Sequence, residues 1–562
     1  MSLKLTGLAL LLTFTATAQF EELAVTDDGR LYFWTTHRLR GQPQDNESKI
    51  IRMTGAGFEI VAAAPARGGV IPPSLRTPFV SGDGNTYGYN EDSGCGSPSC
   101  GLSGLPRNTI RLNGARFPGG VNPQSGHISR NGRFFVGTKW PNGLLWIDLE
   151  TGRVEEPAAS RPASRNGAIA NDGTALVFID TPQSSGGLAL YHPDRGLTPL
   201  DVQAVFSATI SPDAQSIVIE RVGDRTLELG IRVPSGINAF RVLATMPYNS
   251  RNSPYLTVFH PTFANDGRLL YLSPIGPASL LQLAVFAQGR TTLMRPVPEG
   301  VRSAIIAGAG HTGYAITNLH RLLRLHPLTL DHDELLPPTP RLGSIVGAAP
   351  PGSAVRGLAS GVTRDTEVYI GDLRAPVTHV DPRFAFFQVP WEALPVQRAP
   401  MIVRMQNNPF EWHSVFTVDA TPSVRIDRES YIEGLEFIEI PQIYHQDFRG
   451  VLTREDPARP GETIHLFATN LGPVDHPQHT GEPAPPSPFA RITTPFACYL
   501  RERPSEARVE GAVLPFVGLT PGSTGIYQID LTIPTNWTGA FNSIECVNSF
   551  GSRDAVSVTV RP

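Results

Sequence analysis

The sequence predicts an all-β protein, and three features support this prediction. The chain has 54 glycines and 52 prolines among its 562 residues, a share above average usage that indicates many turns and few long helices. A hairpin signal recurs seven times before residue 340. After a proline-rich junction at 335–343 the pattern of apolar residues changes, which indicates a different kind of β-domain in the C-terminal part.

Composition and charge limit the classes of function. Hydrophobic residues make up 40% and charged residues 17% of the chain, which suits packed cores rather than a disordered polyelectrolyte. The formal net charge is −4, so the chain lacks the positive field that nonspecific binding to nucleic acid or an anionic membrane needs. We therefore expect no nucleic-acid partner. The length allows about three or four domains.

The first 18 residues have the pattern of a signal peptide. Lys4 precedes an apolar run, and Ala16-Thr17-Ala18 places small residues at a cleavage site before Gln19. The alternative is an uncleaved anchor, although the run is shorter than the ~20 residues that a spanning helix needs. The expected location is secreted, periplasmic or cell-surface, with no transmembrane segment after cleavage.

The four cysteines are informative in an exported chain, because disulfides form in oxidising compartments. Cys95 and Cys100 are neighbours in a Gly/Ser/Pro-rich loop, whereas Cys498 and Cys546 lie far apart in two stretches typical of strands. We predict the disulfides 95–100 and 498–546. A zinc site is the alternative, but no histidine has the spacing of a metal ligand beside these cysteines.

Seven ten-residue segments share an apolar start, an Asp-Gly-like or Asn-Gly-like turn and an apolar or aromatic run. Such a turn between apolar runs predicts a hairpin, and we expect type I′ turns with positive φ at both central residues. The fifth and seventh copies, with Ala214 and Ala309-Gly310 in the turn, match the pattern less well. The segments are 25–34, 80–89, 128–137, 169–178, 210–219, 263–272 and 306–315.

A second pair of apolar runs follows each hairpin, which gives four short strands per repeat. A period of roughly 40–50 residues with four strands is typical of β-propeller blades, which bury their faces against neighbours in a ring. The sequence therefore predicts a seven-bladed β-propeller over 19–337, with a six-bladed ring as the alternative. Its turns (S-P-D-x and N-D-G) followed by β-runs resemble Tol-type and Trp-Asp-related propeller repeats, a resemblance that implies fold only.

The C-terminal part alternates apolar and polar residues over short strands, with prolines at strand ends. It predicts two immunoglobulin-like β-sandwiches, 341–425 and 426–562. Five segments carry a family resemblance: Pro460-Gly461-Glu462, Asn470-Leu471-Gly472-Pro473, Gly518-Leu519-Thr520-Pro521-Gly522, Gly525-Ile526-Tyr527-Gln528 and Phe387-Gln388-Val389-Pro390-Trp391-Glu392. With these the chain resembles the tandem immunoglobulin-like C-terminal domains of secreted soil-bacterial proteins. The resemblance implies an exported β-rich module and brings no catalytic residues.

Motifs of the common enzyme classes are missing from the sequence. It has no G-x-S-x-G elbow, no H-E-x-x-H and no P-loop. His476 and His479 with Asp475 could suggest a metal, and Asp27-Asp28 or Asn265-Asp266 could suggest calcium. Loop and turn roles explain these residues more simply. We expect no cofactor, no metal and no catalytic residue.

One positional pattern points to a ligand site. Three residues before the apolar start of each repeat every side chain is polar, and four residues before it three are arginines. If the first strand of each hairpin is innermost, these positions surround one mouth of the central channel, where Arg would pair with anions. The alternative is that loop residues are polar because they are solvated. The candidate ligand-binding residues are Arg76, Arg165, His260, Arg302, Asn166 and Glu22.

These patterns predict an exported, noncatalytic binding or scaffold protein with a ligand, a carbohydrate or anionic glycan, at the channel mouth. The alternative is a lyase-like enzyme acting on a polysaccharide, with His260 as base and the three arginines neutralising a uronate carboxylate. A third interpretation is a cell-surface module that binds another protein with the flat face of the propeller.

Overall fold

The computed structural model describes most of the chain. The predicted signal peptide 1–18, the pair Cys95 and Cys100, and the candidates Arg165 and Asn166 lie outside the described residues. The described residues are 21–35, 38–40, 48–55, 57–64, 74–92, 108–117, 123, 125–139, 143–159, 161–162, 168–181, 184–202, 205–223, 226–232, 240–247, 259–275, 280–344, 348–381, 384–433, 436–453, 455–476, 478–501, 512–536, 543–558 and 560–561.

The segment Met1–Pro338 forms one compact unit. Its described strands form seven four-stranded antiparallel sheets, each built from strands that follow one another along the chain, numbered here 1 to 7.

Sheet 1 holds β1 (Glu21–Val25), β2 (Leu31–Thr35), β4 (Lys49–Thr54) and β5 (Gly57–Ala63); the short strand β3 (Arg38–Leu39) lies between β2 and β4 in the sequence. Sheet 2 holds β6 (Ser74–Val80), β7 (Tyr87–Asp92), β8 (Asn108–Leu112) and β9 (Ala115–Arg116). Sheet 3 holds β10 (Ser125–Ile128), β11 (Phe134–Lys139), β12 (Gly143–Asp148) and β13 (Val154–Glu155); sheet 4 holds β14 (Arg161–Pro162), β15 (Ala175–Thr181), β16 (Ser184–His192) and β17 (Gly196–Leu200). Sheet 5 holds β18 (Val205–Ile210), β19 (Ile217–Val222), β20 (Thr226–Arg232) and β21 (Arg241–Pro247). Sheet 6 holds β22 (Thr262–Phe263), β23 (Leu269–Ile275), β24 (Leu280–Ala287) and β25 (Arg290–Leu293); sheet 7 holds β26 (Val301–Ile306), β27 (Gly313–Thr317), β28 (Leu322–His326) and β29 (Asp331–Leu336).

The first hairpin of each sheet falls where the repeat pattern predicted it, but the predicted type I′ turn was wrong. In sheet 1 the Thr26 N–H donates to the Arg30 carbonyl at 3.0 Å and the Gly29 N–H donates to the Thr26 carbonyl at 3.2 Å, which closes a three-residue loop. Gly29 has φ 87°, whereas Asp28 is not among the positive-φ residues. The glycine alone supplies the left-handed residue that such a loop needs. Ala214 adopts this conformation in sheet 5, with φ 61°.

The acidic residue of the turn acts through its side chain, whose carboxylate accepts hydrogen bonds from neighbouring turn groups. In sheet 2 the Asp83 carboxylate accepts the Ser81 hydroxyl at 2.6 Å and the Asn85 N–H at 2.9 Å. The same Ser-to-Asp bond, at 2.6 Å, recurs between Ser211 and Asp213 in sheet 5. These bonds satisfy turn groups that the strand ladder leaves unpaired, as Asx turns do.

The apolar cores of this unit lie between neighbouring sheets. Trp146 of sheet 3 shares a core with Val177 of sheet 4, and Leu270 of sheet 6 shares one with Leu323 of sheet 7. Sheet 7 also contacts sheet 1, because the Tyr314 hydroxyl donates to the carbonyl of Gly29 at 2.6 Å. The series of sheets therefore returns on itself.

The second compact unit, Thr339–Pro562, contains two pairs of packed sheets. In the first pair one core includes Phe387 of one sheet and Phe416 of the other, with ring centroids 5.8 Å apart. One sheet of this pair orders β30 (Arg341–Ser344), β32 (Ala354–Ser360), β36 (Phe384–Gln388) and β35 (Val377–Val380). The other orders β38 (Phe410–Val418), β37 (Val396–Arg404), β33 (Glu367–Ile370) and β34 (Leu373–Ala375), with β31 (Ala348–Ala349) beside β38.

The second pair of sheets encloses a core that includes Leu466 and Ile529 of one sheet and Ile544 of the other. One sheet orders β39 (Arg425–Ile426), β43 (Thr463–Thr469), β46 (Tyr527–Thr532) and β45 (Val513–Leu519), with β42 (Ile443–Tyr444) beside β43. The other orders β44 (Phe496–Arg501), β47 (Ser543–Asn548) and β48 (Arg553–Ser557); β40 (Arg428–Glu433) and β41 (Glu436–Pro441) form a hairpin. Strand β39 straddles the predicted domain boundary at 425/426 and pairs with β43.

The predicted disulfide between Cys498 and Cys546 is present. The two residues lie directly opposite each other on the paired strands β44 and β47, and both are fully buried. The bridge therefore joins neighbours within one sheet and does not link the two sheets of the sandwich.

Candidate functional site

Residues from all seven repeats surround a common channel. They belong to the first strand of the sheet or lie next to it, except in sheet 4, where Ile169 lies between β14 and β15. Most of the channel wall is apolar, and its polar side chains include Thr209 and Thr262. The cavity in the channel has a volume of about 100 Å³, well below the ~300 Å³ at which ordinary ligand pockets begin. A sugar ring is too large for it, so a ligand of that size must sit at one end. The wall includes Val25, Phe79, His127, Ile169, Ile210, Phe263 and Ile306, one from each sheet in order.

Arg130 crosses the end of the channel where the hairpin turns lie. Its guanidinium donates to the carbonyl of Val25 at 2.7 Å and to that of Ile306 at 3.0 Å. Its Nε lies 3.2 Å from Oδ1 of Asp27, and only 16% of the side chain is exposed. Burial lowers the pKa of Arg130 and the charge of Asp27 opposes this shift, so the group stays cationic. Arg130 therefore ties sheet 3 to sheets 1 and 7 and obstructs this end.

Backbone hydrogen bonds between consecutive turns reinforce the obstructed end. The Asp27 N–H donates to Gly82 at 2.7 Å, and the Gly82 N–H donates to the carbonyl of Arg130 at 2.6 Å. Farther along, the Asn171 N–H donates to Pro212 at 2.9 Å. All five residues occupy the third position of the repeat pattern. Backbone bonds at that position therefore link the turns of neighbouring sheets at this end of the channel.

Three predicted site residues lie where first strands begin, on three consecutive sheets. Glu22 precedes the channel-lining part of sheet 1, His260 that of sheet 6, and Arg302 that of sheet 7. Glu22 and His260 occupy equivalent repeat positions and both have positive φ, 56° and 44°. Left-handed backbone at residues other than glycine is rare and costly, and it concentrates at functional sites. The structure thus brings an acid, an imidazole and a cation to one sector of the mouth.

Arg302 is exposed and sits in a β-bulge, because the pairing register of β26 shifts between Val301 and Ser303. First strands of sheets 1, 2 and 5 carry a bulge near the same position. A bulge redirects the side chain it contains and ends regular pairing. Bulges therefore recur near the start of the first strand in four of the seven described sheets.

Arg76 lies in β6, opposite Asn90; the structure describes its backbone but not its side chain. Arg165 and Asn166 fall outside the described residues. The ligand-binding roles of all six candidates stay predictions.

Glu220 is a residue beside the candidate His260 that the sequence analysis missed. It is fully buried, and its Oε1 accepts the N–H of Phe259, the residue before His260, at 2.8 Å. The Phe259 carbonyl in turn accepts the Leu272 N–H at 2.7 Å. Both bonds fix the chain beside His260 and hold its strained backbone. The available signal was a glutamate inside an otherwise apolar second strand, Ile217–Val222.

Ser207 is paired directly with Glu220 across β18 and β19. It is 4% exposed, and its hydroxyl has no hydrogen-bond partner in the described part of the chain. Buried polar groups are nearly always paired. This hydroxyl is therefore a buried polar group without a described partner beside the carboxylate-bearing strand β19.

The described residues form neither a metal-binding cluster nor a membrane-spanning helix. No three His, Cys, Asp or Glu side chains there are placed to hold a metal ion together. Nδ1 of His476 lies 2.7 Å from Oδ1 of Asp475. Burial tends to raise the pKa of Asp475, but hydrogen bonds from His476 and from the Arg491 N–H outweigh this effect and lower it. No helix in the part that the structure covers is long and apolar enough to cross a membrane.

Comparison with known proteins supplies no family for this chain. No family model and no curated protein matches it. Among solved structures it is similar to the C-terminal WD40 domain of Sif2, with 10% identity and a TM-score of 0.36 over 66% of this chain and 97% of that one. It is also similar to the β-propeller domain of Cps50 (Swd1) from Myceliophteria thermophila, with 10% identity and a TM-score of 0.33 over 54% and 94%. The radial arrangement of four-stranded sheets around one channel makes the repeat region of this chain a β-propeller.

Proposed function

We propose that this protein is an exported, noncatalytic binding or scaffold protein. Its N-terminal region, 19–337, is a seven-bladed propeller that binds a carbohydrate or anionic glycan at the mouth where the first strands begin. The two immunoglobulin-like sandwiches serve as spacers or attachment modules. The observation that carries this proposal is the strained pair Glu22 and His260, at equivalent positions and flanking the bulged, exposed Arg302.

The chemistry of this sector suits a sugar with an acidic substituent. Arg302 provides a charged fork for a carboxylate or sulfate, while Glu22 and His260 provide groups that bind hydroxyls. The channel behind them holds only about 100 Å³. A glycan would therefore lie across the mouth and place no more than a small substituent in the channel.

A lyase-like enzyme acting on a polysaccharide is the second candidate. The observation that favours it is the fixed backbone at His260, because Glu220 and Leu272 hold Phe259 from both sides. A general base needs such positioning. In this mechanism His260 would remove the C5 proton next to a uronate carboxylate that Arg302 neutralises. The electron pair would form a C4–C5 double bond as the C4–O4 bond breaks, and the protonated His260 or a water molecule would give a proton to the departing oxygen.

A glycan array combined with a polysaccharide-degradation assay tests the proposal. We expect binding without products, and loss of binding in the triple variant Arg76→Ala/Arg165→Ala/Arg302→Ala. Arg290→Ala is the matched control, because Arg290 is exposed on the outer strand of sheet 6 and should leave binding unchanged. Retained binding in the triple variant would show that the mouth is not the site.

Unsaturated oligosaccharide products would instead support the lyase. In that case His260→Ala should abolish product formation. Glu220→Gln keeps an oxygen to accept the Phe259 N–H and should retain activity, whereas Glu220→Ala should lower kcat by releasing the backbone beside His260.

A further inference from the structure

A groove of about 340 Å³ lies between sheets 7 and 1, a size within the range of ligand pockets. Its lining is apolar where Met53, Phe58, Leu335 and Leu336 meet. Met53 and Leu336 are buried, while Phe58 and Leu335 are partly exposed. None of these residues lines the channel, so the groove is separate from the site proposed above.

One uncompensated positive charge faces this groove. Arg324 lines it and is exposed, and within the described residues no carboxylate forms an ion pair with it. The nearest acidic groups on β29 are occupied, because Asp333 lies 2.8 Å from His326 and Glu334 lies 2.7 Å from Arg321. An anionic group entering the groove would therefore meet an unneutralised guanidinium.

The other polar groups of the groove are already engaged. Arg30 pairs with Asp28 at 3.0 Å and donates to the carbonyl of Asp83 at 2.7 Å. The Tyr314 hydroxyl donates to Gly29 at 2.6 Å, and burial raises the pKa of Tyr314, so this hydroxyl keeps its proton at neutral pH. Arg324 itself forms a side-chain hydrogen bond with the Tyr314 hydroxyl. Because no described carboxylate neutralises its charge, Arg324 can still select a ligand by charge.

The edge of sheet 1 borders the same groove. Strand β5 is the last strand of sheet 1, and its outer edge pairs with no other strand described. An edge strand presents N–H and C=O groups on which an extended peptide can pair, with alternate side chains entering adjacent pockets. Gly57 and Phe58, at the start of β5, line the groove, so a peptide on this edge would direct side chains into it.

We propose that the groove binds an extended segment of a partner protein, paired along the edge of β5. A large apolar side chain of that segment would occupy the space between Met53, Phe58 and Leu336, and an adjacent Asp or Glu carboxylate would bind Arg324. This inference does not depend on the glycan site.

The test uses fluorescence anisotropy of the full chain with labelled, capped octapeptides. The panel places Leu, Ile, Val or Phe next to a central Glu, and each member has a twin with Gln in place of Glu. We expect at least one Glu peptide to bind about tenfold more tightly than its twin, the size of effect given by ~1.4 kcal/mol. Arg324→Gln should reduce that ratio to near one, whereas Arg290→Gln, an exposed control, should not.

Two further measurements separate the outcomes. N-methylation of alternate peptide amides should weaken binding about tenfold or more if the peptide pairs with β5. Arg302→Ala, which tests the glycan mouth, should leave peptide binding unchanged. Absence of binding across the panel, a Glu/Gln ratio that survives Arg324→Gln, or an equal loss in Arg290→Gln would each overturn the proposal.

Discussion

Replacement of Arg130 tests how the propeller is held closed at its turn end. Arg130→Ala removes two hydrogen bonds, to Val25 at 2.7 Å and to Ile306 at 3.0 Å. Both carbonyls belong to the innermost strand of their sheet, which has no neighbouring strand on the channel side. A buried carbonyl left without its donor costs about 1–3 kcal/mol, so the two together should cost about 2–6 kcal/mol. Loss of the pair with the partly exposed Asp27 adds less than about 1 kcal/mol.

Hydrogen exchange measured by mass spectrometry resolves this effect by region. A cost of about 2 kcal/mol corresponds to roughly 30-fold faster exchange, expected for amides of β1 and β26 and not for those of β16 and β17. Arg130→Lys should fall between, because a lysine cannot reproduce the planar fork. Arg133→Ala is the control, because Arg133 is 42% exposed in its pair with Asp148, and an exposed ion pair contributes little to stability. Equal exchange in the Arg130 and Arg133 variants would refute the argument.

Three further predictions concern stability. Ala214→Gly should raise the thermal midpoint, because Ala214 holds φ 61° where glycine avoids a cost of ~1 kcal/mol; an unchanged or lower midpoint would show that no strain is stored there. Cys498→Ala/Cys546→Ala should lose about 4 kcal/mol in urea unfolding, from the entropy released in a 48-residue loop, and a loss below ~1 kcal/mol would contradict this. The free energy of unfolding should fall as the pH drops below 4.5, the ordinary pKa of a glutamate. The hydrogen bond from Arg404 lowers the pKa of Glu367 below this value. The ion pair therefore stabilises the fold at higher pH, and its contribution is lost as the carboxylate is protonated. The urea midpoint of Glu367→Gln should vary less between about pH 5 and pH 3; parallel curves for the two proteins would be inconsistent with this.

The hairpins could be predicted because their signals are local. Each turn reads Asp-Gly, Asn-Gly or a close variant within ten residues, and both backbone geometry and side-chain bonding act over that distance. The turn type could not be derived from the dipeptide alone. Ser81 and Thr86 show why: the Ser81 hydroxyl accepts the Thr86 N–H at 3.0 Å across a four-residue loop, and that bond depends on residues outside the dipeptide.

The residues that organise the site were harder to find because their partners are distant in sequence. Arg130 occupies a repeat position that other copies fill with Gly82, Asn171 or Pro212. Because the residue type at this position varies from copy to copy, the repeat pattern did not single out Arg130. Glu220 of sheet 5 accepts a hydrogen bond from Phe259, which precedes the first strand of the neighbouring sheet 6. The bulge at Arg302 arises from the pairing of β26 with β27, and the pattern of apolar residues within β26 does not predict it.

The contact between Tyr314 and Gly29 joins positions 285 apart in the chain. Until sheet 7 has been synthesised, the face of sheet 1 that it covers has no partner of its own. Contacts of such long sequence separation form slowly, because chain entropy is lost before they contribute. An incomplete chain in this state is prone to aggregate. The yield of correctly folded molecules should therefore depend on what shields the first repeat while the last one is still emerging.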